Sequence, residues 1–408
     1  MNRRERFTQT MSHQSVDRPP IDIGATTLTS MSPHCQDNLR RFLGFSGKPI
    51  PTNSGVDERI LKWAGTDFRA VGAIVDLPSV HTRRISSKAY VDCWGIRREA
   101  VGQYEEITYH PLRGATREDL TVFQWPEARV NERLLEQWEK QAKELKRENE
   151  YVIIAEHPIF GILELGCWMC GYDEFLMKMA IDKDFVRVFF DRVFDIQMKV
   201  IDQYYSVLGP YIDLTTSGDD FGMQTGPLIS PQMFRELITP YFKPRIARTK
   251  ELGRCYYWHH SCGSVFALLA QIIECGVDIL NPLQTSANHM DPKELKLSFG
   301  DRLVFWGGVD VQQFLRSATP QPVYEYVLTL IATLGDNGGY VIAPAHNMQD
   351  DIPPENIVAL VETIRRKIGT QRFLKKSPIR HSPTADRSRG HAPDRSRGHA
   401  PDRSRGHA

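Results

Sequence analysis

The 408-residue chain is predicted to be an α/β protein folded as a (β/α)8 TIM barrel. Three observations point there. Short apolar runs of strand character alternate with amphipathic helical patterns, and about eight such runs can be counted. No Gly-rich phosphate loop follows any of them, which argues against an open, doubly wound sheet. The length suits one large α/β domain with insertions better than a small core.

The runs, in order, are "PPIDIG" (19–24), "DFRAVGAI" (67–74), "YVIIAE" (151–156), "YIDLTT" (211–216), "CYYWHH" (255–260), "VDILNP" (277–282), "LVFWGG" (303–308) and "YVIAPA" (340–345). Amphipathic segments lie between them, at 173–209, 230–253, 264–276 and 319–338, and several stop at Gly, a common helix terminator. Residues 75–150 break the alternation. "KAYVDCWGIRREAVGQYEEITYHPL" reads as strands or a hairpin and "VNERLLEQWEKQAKELKRENE" as a charged, solvated helix. This stretch is expected to be an N-terminal excursion over the barrel mouth. One domain is expected over 1–374. From Asp386 the chain repeats "DRSRGHAP", a unit without any large apolar side chain, so a disordered tail is expected over 375–408.

Charged residues make up 25% and hydrophobic ones 41% of the chain, as in ordinary globular proteins. The net charge of +1 conceals an asymmetry: the tail holds nine Lys/Arg against three Asp/Glu, leaving the body at −5. An acidic body gives nucleic-acid binding no support. The polar opening "MNRRERFTQTMSHQ" predicts no secretory signal, and no apolar stretch reaches transmembrane length. The seven cysteines are therefore expected reduced, in a cytoplasm, and available for metal chemistry or burial. "CWMC" (167–170), at an expected helix start and without a second pair, reads as packing.

Barrel chemistry collects at the C-terminal ends of the strands. Those ends carry Asp219 and Asp220, then His260 and Cys262 in "WHHSCGS", then Asn281 and Gln284, then Asp310, then His346 and Asn347. Side chains alternate along a strand, so His260 and Cys262 share a face while His259 points to the helices as a packing residue. An imidazole and a thiolate so placed suit zinc. His346, across the mouth, is the candidate third ligand or a substrate hydrogen-bonding group. Such a set leaves one position open, from which zinc could hold a substrate thiol as thiolate. Of Asp219 and Asp220, both candidate catalytic residues, one is expected to cap the next turn and the other to orient substrate or handle protons. Gln284, Asp310 and Asn347 are expected to line the substrate pocket.

Taken together, "RERFTQTM…DRPPID", "DCWGIRRE", "WMCGYDEFLMKM", "GDDFGMQTGPLISPQMFRELITPYFKP", "HHSCGSV", "NPLQ", "GGVDVQQFL" and "GGYVIAPAHNMQDDIPPENIVAL" resemble the uroporphyrinogen decarboxylase (URO-D) superfamily over about residues 3–368. The closest likeness is to its zinc- and corrinoid-dependent methyltransferases, such as those acting on coenzyme M. The resemblance implies a (β/α)8 barrel enzyme that moves a methyl group from methylcobalamin or a corrinoid protein to a zinc-activated thiol. It implies zinc on His260 and Cys262. The family's late cysteine ligand is replaced here by His346. In the decarboxylase branch a histidine in this region contacts porphyrinogen, so His346 fits that use too. True uroporphyrinogen decarboxylases place an arginine pair just after the first strand, whereas here "ATTLTSMSPH" follows and no arginine comes before Arg40. Porphyrinogen decarboxylation is thus the alternative, and a barrel binding a corrinoid or tetrapyrrole without chemistry is a second one. Expected partners are a small-molecule substrate and a corrinoid protein, with allowance for a homodimer.

Overall fold

Seven of the apolar runs form one parallel sheet in the computed structural model, which describes residues 1–102 and 104–374. The tail expectation for 375–408 lies outside the described residues. In chain order the strands are β1 (Phe68–Val71), then β2 (Arg83–Arg84), β3 (Ala89–Val91), β4 (Arg97–Val101) and β5 (Tyr104–Tyr109) of the excursion, then β6 (Val152–Ala155), β7 (Leu214–Thr215), β8 (Tyr256–His260), β9 (Ile279–Leu283), β10 (Val304–Val309) and β11 (Tyr340–Pro344). The large sheet runs β1-β6-β7-β8-β9-β10-β11, every neighbour parallel, with helices between successive strands: a curled, barrel-like α/β fold. Its strands are apolar on both faces because one face meets the helices and the other fills the interior.

Strand parity sorts the side chains. Phe68, Ala70, Val152, Ile154, Leu214, Trp258, Ile279, Val304, Trp306, Val341 and Ala343 make an inner cluster. Their chain neighbours, among them Val71, Ile153, Tyr257, Leu280, Phe305 and Ile342, join the larger cluster beneath the helices. Trp258 stacks on Trp306 at 4.3 Å between ring centroids, filling the interior. Phe7, on the helix Arg3–Met11, meets Phe68 and Tyr256 edge-on at 5.7 and 5.9 Å, so this helix closes the N-terminal end of the sheet. The C-terminal strand ends are left for the site.

The predicted first strand contracts to a single bridge, Ile21 to Ile342. Pro19 and Pro20 have no N–H to extend a ladder, and Gly24 turns the chain at φ +81. The short segment still links both edges of the sheet: the Asp22 N–H donates to Ile342 O at 3.0 Å and the Asp67 N–H donates to Ile21 O at 2.9 Å. The fully buried Asp67 carboxylate accepts from the Ile21 N–H at 2.7 Å, from Arg18 at 2.6 and 3.0 Å and from Arg6 at 2.8 Å.

The excursion holds the antiparallel sheet β2-β3-β4-β5 and the charged helix Glu132–Glu148, which Asn131 caps by accepting from two backbone N–H groups. All seven cysteines are free thiols. "CWMC" lies at the end of the helix Ile162–Cys170, not at a helix start, with both cysteines buried. Among the described residues no helix is long and apolar enough to cross a membrane.

Asp67→Ala strands the Arg18 guanidinium, takes one of two carboxylate partners from Arg6, which keeps Asp17, and is expected to cost about 3–5 kcal/mol of unfolding free energy. Urea unfolding monitored by tryptophan fluorescence measures it. A loss below about 1 kcal/mol would show that the clamp is dispensable.

Candidate metal centre and active site

Parity decides where the histidines of "WHHSCGS" go. His260 shares the inner face of β8 with Trp258, whereas His259 follows Tyr257 outward. The His259 ring lies at 5.3 Å from Phe221 and 4.8 Å from Phe242, and its Nδ1 is 2.9 Å from Ser217 Oγ. Burial, reinforced by Arg245, holds its pKa well below the usual histidine value, so it packs there as a neutral ring.

His260 is oriented from behind. Its Nδ1 donates to Asn281 Oδ1 at 2.6 Å, and the Asn281 amide is fixed in turn because its Nδ2 donates to Trp306 O at 3.3 Å. That arrangement leaves Nε2 as the lone-pair nitrogen, 3.4 Å from Cys262 Sγ. His346 follows β11 across the mouth, its ring 5.7 Å from that of His260. The ligand-type atoms of His260, Cys262 and His346 all lie within 4.8 Å of one another.

Donor chemistry and spacing fit zinc. Zn–S and Zn–N bonds of about 2.3 and 2.1 Å at a tetrahedral angle imply an S···N edge of about 3.6 Å, close to the 3.4 Å between Cys262 and His260. Burial, with a further push from His260, lowers the His346 pKa to about 4, so its ring is neutral and ready to ligate at physiological pH. Burial first, and then Asp220 and Glu164, push the Cys262 thiol up. A cation must therefore displace the thiol proton, which makes binding weaker in acid.

The neighbouring carboxylates divide by geometry. Asp219 accepts from the Leu163 and Glu164 N–H groups at 3.2 and 2.9 Å, capping the helix Ile162–Cys170 rather than the turn that follows it in sequence. Gly161 permits this, since a Cβ there would fall 2.1 Å from Asp219 Cγ. Burial is the main reason that the Asp219 pKa rises to about 7. Asp220 instead accepts from the Cys262 N–H at 2.7 Å. Glu164, in the first turn of the capped helix, receives a hydrogen bond from the Asp220 backbone; burial, and then Asp220 and Asp219, hold its pKa well above the carboxylate range. Sequence reasoning missed Glu164 and the role of Asn281 as orienter. A lone acid within the apolar run "IFGILELGCWMC" was the available signal for Glu164.

Cys262, Gln284, Asp310, His346 and Asn347 line one cavity of about 1090 Å3. Gln284 accepts from the Gly263 N–H at 2.8 Å and donates to Gln312 at 3.0 Å. Asp310 accepts from the Gln313 and Phe314 N–H groups at 2.7 and 3.1 Å, and Asn347 accepts from the Ser30 N–H at 2.8 Å. Asp219, Asp220 and His260 stand behind this wall.

A barrel-like α/β sheet carrying a His2Cys constellation and a polar cavity at its strand ends defines the class: a protein with a candidate metal-dependent site of the enzyme type. The family follows from comparison. A family model, Uroporphyrinogen decarboxylase (URO-D), matches residues 141–367, and the chain belongs to that family. Among curated relatives, a uroporphyrinogen decarboxylase of Psychromonas ingrahamii is 26% identical over 144 residues, 34% of this chain and 38% of that protein. One of Serratia proteamaculans is 29% identical over 79 residues, 19% of this chain and 22% of that protein. These matches therefore span well under half of each relative. Among solved structures, a methyltransferase from Methanosarcina mazei superposes with a TM-score of 0.63 at 15% identity, covering 90% of this chain and 99% of that one. This likeness carries the fold.

Asp219→Ala removes the acceptor for two buried N–H groups and is expected to lower stability by about 1–3 kcal/mol. Asp220→Asn keeps an acceptor for the Cys262 N–H and is expected to leave the urea midpoint nearly unchanged. Equal destabilisation by the two substitutions would contradict this division of roles.

Proposed function

We propose that the chain is a methyltransferase that transfers a methyl group from a corrinoid, free methylcobalamin or a corrinoid protein, to a thiol or related small-molecule acceptor. The observation that carries the reading is the convergence of His260 Nε2, Cys262 Sγ and His346 on one point at the cavity wall. His260, Cys262 and His346 would hold zinc, which when bound supplies Lewis-acid stabilisation of an acceptor thiolate at neutral pH.

The remaining work falls to this chain's own groups. Asn281 keeps the Nδ1 proton of His260 engaged and Nε2 available. Asp220 fixes the Cys262 backbone and is the acceptor at hand for the proton that a thiol sheds. Gln284, Asp310 and Asn347 bound the substrate space. We take the Pro20–Ile21 segment as the eighth stave of a closed barrel, on the strength of its bonds to both sheet edges. We also take the excursion as cover for the mouth. Its Arg98 stacks on Trp168 at 4.8 Å, and His110 Nδ1 donates to Trp168 O at 2.7 Å, on the helix that carries Glu164.

The names of the two curated relatives favour a second reading, decarboxylation of a porphyrinogen. A polycarboxylate needs cationic partners. Arg40, the first arginine after the opening strand, is already paired with Asp37 and Asp57 at 3.0 and 2.9 Å.

Metal analysis of the purified, untagged protein is expected to find about one zinc fewer per chain in Cys262→Ser and in His260→Ala than in wild type; the difference cancels any metal held by histidines of the tail. His259→Ala should keep the metal and lose only packing energy. His346→Cys should keep it and His346→Ala weaken it. A wild type that transfers methyl from methylcobalamin to a thiol with no metal bound would sink the mechanism.

Asp220→Asn is expected to slow that transfer at least tenfold, about 1.4 kcal/mol in the barrier. Wild-type turnover in this variant would remove Asp220 from the chemistry.

A further inference from the structure

The segment that carries two of the candidate ligands is pinned on both sides beyond the end of its strand. β8 stops at His260, yet the backbone N–H groups of residues 260–264 all keep partners. His260 and Ser264 donate to Ser217 O and Met223 O at 2.7 and 2.8 Å, on the loop after β7. Ser261 donates to Asn281 O at 2.7 Å, in β9. Cys262 and Gly263 donate to side chains instead, Asp220 Oδ1 at 2.7 Å and Gln284 Oε1 at 2.8 Å. The bonds alternate between the two neighbouring segments, as they do in a parallel ladder.

Ser261 stands between the two ligands in this ladder. Parity turns its side chain away from theirs. It is fully buried, and its Oγ accepts from the Phe221 N–H at 2.8 Å. Phe221 is fully buried too. Its ring meets Phe234 and Phe242 edge-on at 5.0 and 5.7 Å and stacks on His259 at 5.3 Å. Its carbonyl accepts from the Leu228 N–H at 2.7 Å. The segments approach so closely that a Cβ on Gly222 would fall 2.6 Å from Cys262 O. The Ser261 hydroxyl thus couples the one residue between His260 and Cys262 to an aromatic box.

Two ligands one residue apart grip a cation as a chelate, and its affinity depends on how little the intervening backbone must rearrange. We propose that Ser261 is a positioning residue of the metal centre: its hydroxyl, locked to the Phe221 N–H, presets the spacing of the His260 and Cys262 side chains. The inference deepens the metal reading of this site and rests on it for the zinc readout.

Cobalt(II) loaded into the full-length, untagged protein tests it. The thiolate-to-cobalt absorption band arises only from a cysteine ligand, so histidines of the tail do not contribute, and its loss on adding zinc measures zinc affinity. Ser261→Ala is expected to shift the band and weaken zinc about tenfold or more. Ser261→Thr restores the hydroxyl and should recover most of that loss. Phe221→Leu keeps the N–H but loosens its anchor, and should fall between the two. Ile60→Ala, a buried change on the helix Glu58–Ala64, lowers stability alone and should leave band and affinity as in wild type. A second readout needs no metal. After a chelator is applied, alkylation of the half-buried Cys262 by iodoacetamide, followed by peptide mass mapping, should be several-fold faster in Ser261→Ala and unchanged in Ile60→Ala. Zinc affinity and alkylation both unchanged in Ser261→Ala, or equal effects from Ile60→Ala, overturn the proposal. A wild type that takes neither cobalt nor zinc sinks the metal reading, and the alkylation rates then decide the role of Ser261 by themselves.

Discussion

The buried carboxylate of Asp67 is the point on which the architecture turns. It sits at the start of the first sheet strand and accepts hydrogen bonds from Arg6, Arg18 and the Ile21 N–H. Those three partners belong to the helix that plugs the N-terminal end, the approach to the closing segment, and the closing segment itself. Taking a carboxylate out of water is costly, and only such a full set of donors, two of them cationic, offsets the cost. One side chain thereby ties the plug to the segment that links both sheet edges and leaves the opposite end of the sheet open.

From this segment a chain of contacts runs to the candidate metal centre. Asp22, next to Ile21, accepts from Trp306 Nε1 at 3.0 Å; Trp306 O holds the amide of Asn281; Asn281 holds His260. The tautomer of a candidate ligand thus depends on residues of β9 and β10 and on the stacked indoles of the interior. Glu156 stands near the start of this chain. It is buried at the end of β6, with its pKa raised to about 7 by burial, and accepts from Thr27. The interior is apolar at its floor and becomes polar toward the strand ends, where chemistry is placed in folds of this kind.

At the mouth, adjacent acids take opposite tasks. Asp219 turns back to cap a helix that begins 57 residues earlier in the chain, at Ile162, and Asp220 turns forward to the Cys262 backbone. The cap brings Glu164 beside them, so that three carboxyl groups gather behind a single thiol. Burial first, and then Asp220 and Glu164, keep the thiol protonated until a cation arrives.

Sequence alone determined the alternation of strands and helices, because parallel strands buried on both faces must be continuous apolar runs. It also determined the facing of "WHHSCGS", because side-chain direction along a strand has a period of two: His260 inward with Trp258, His259 outward against Phe221 and Phe242. Strand ends carrying Gln284, Asp310, His346 and Asn347 were legible for a related reason, since polar residues following an apolar run need an exposed mouth. Only the tertiary structure decided that the first strand would shrink to a bridge, that Asp219 would cap a distant helix, that Asn281 would orient His260, and that Glu164 would join the site. Each depends on contacts between segments far apart in the chain. Such contacts are set by how the sheet curls, and no local pattern of residues records them.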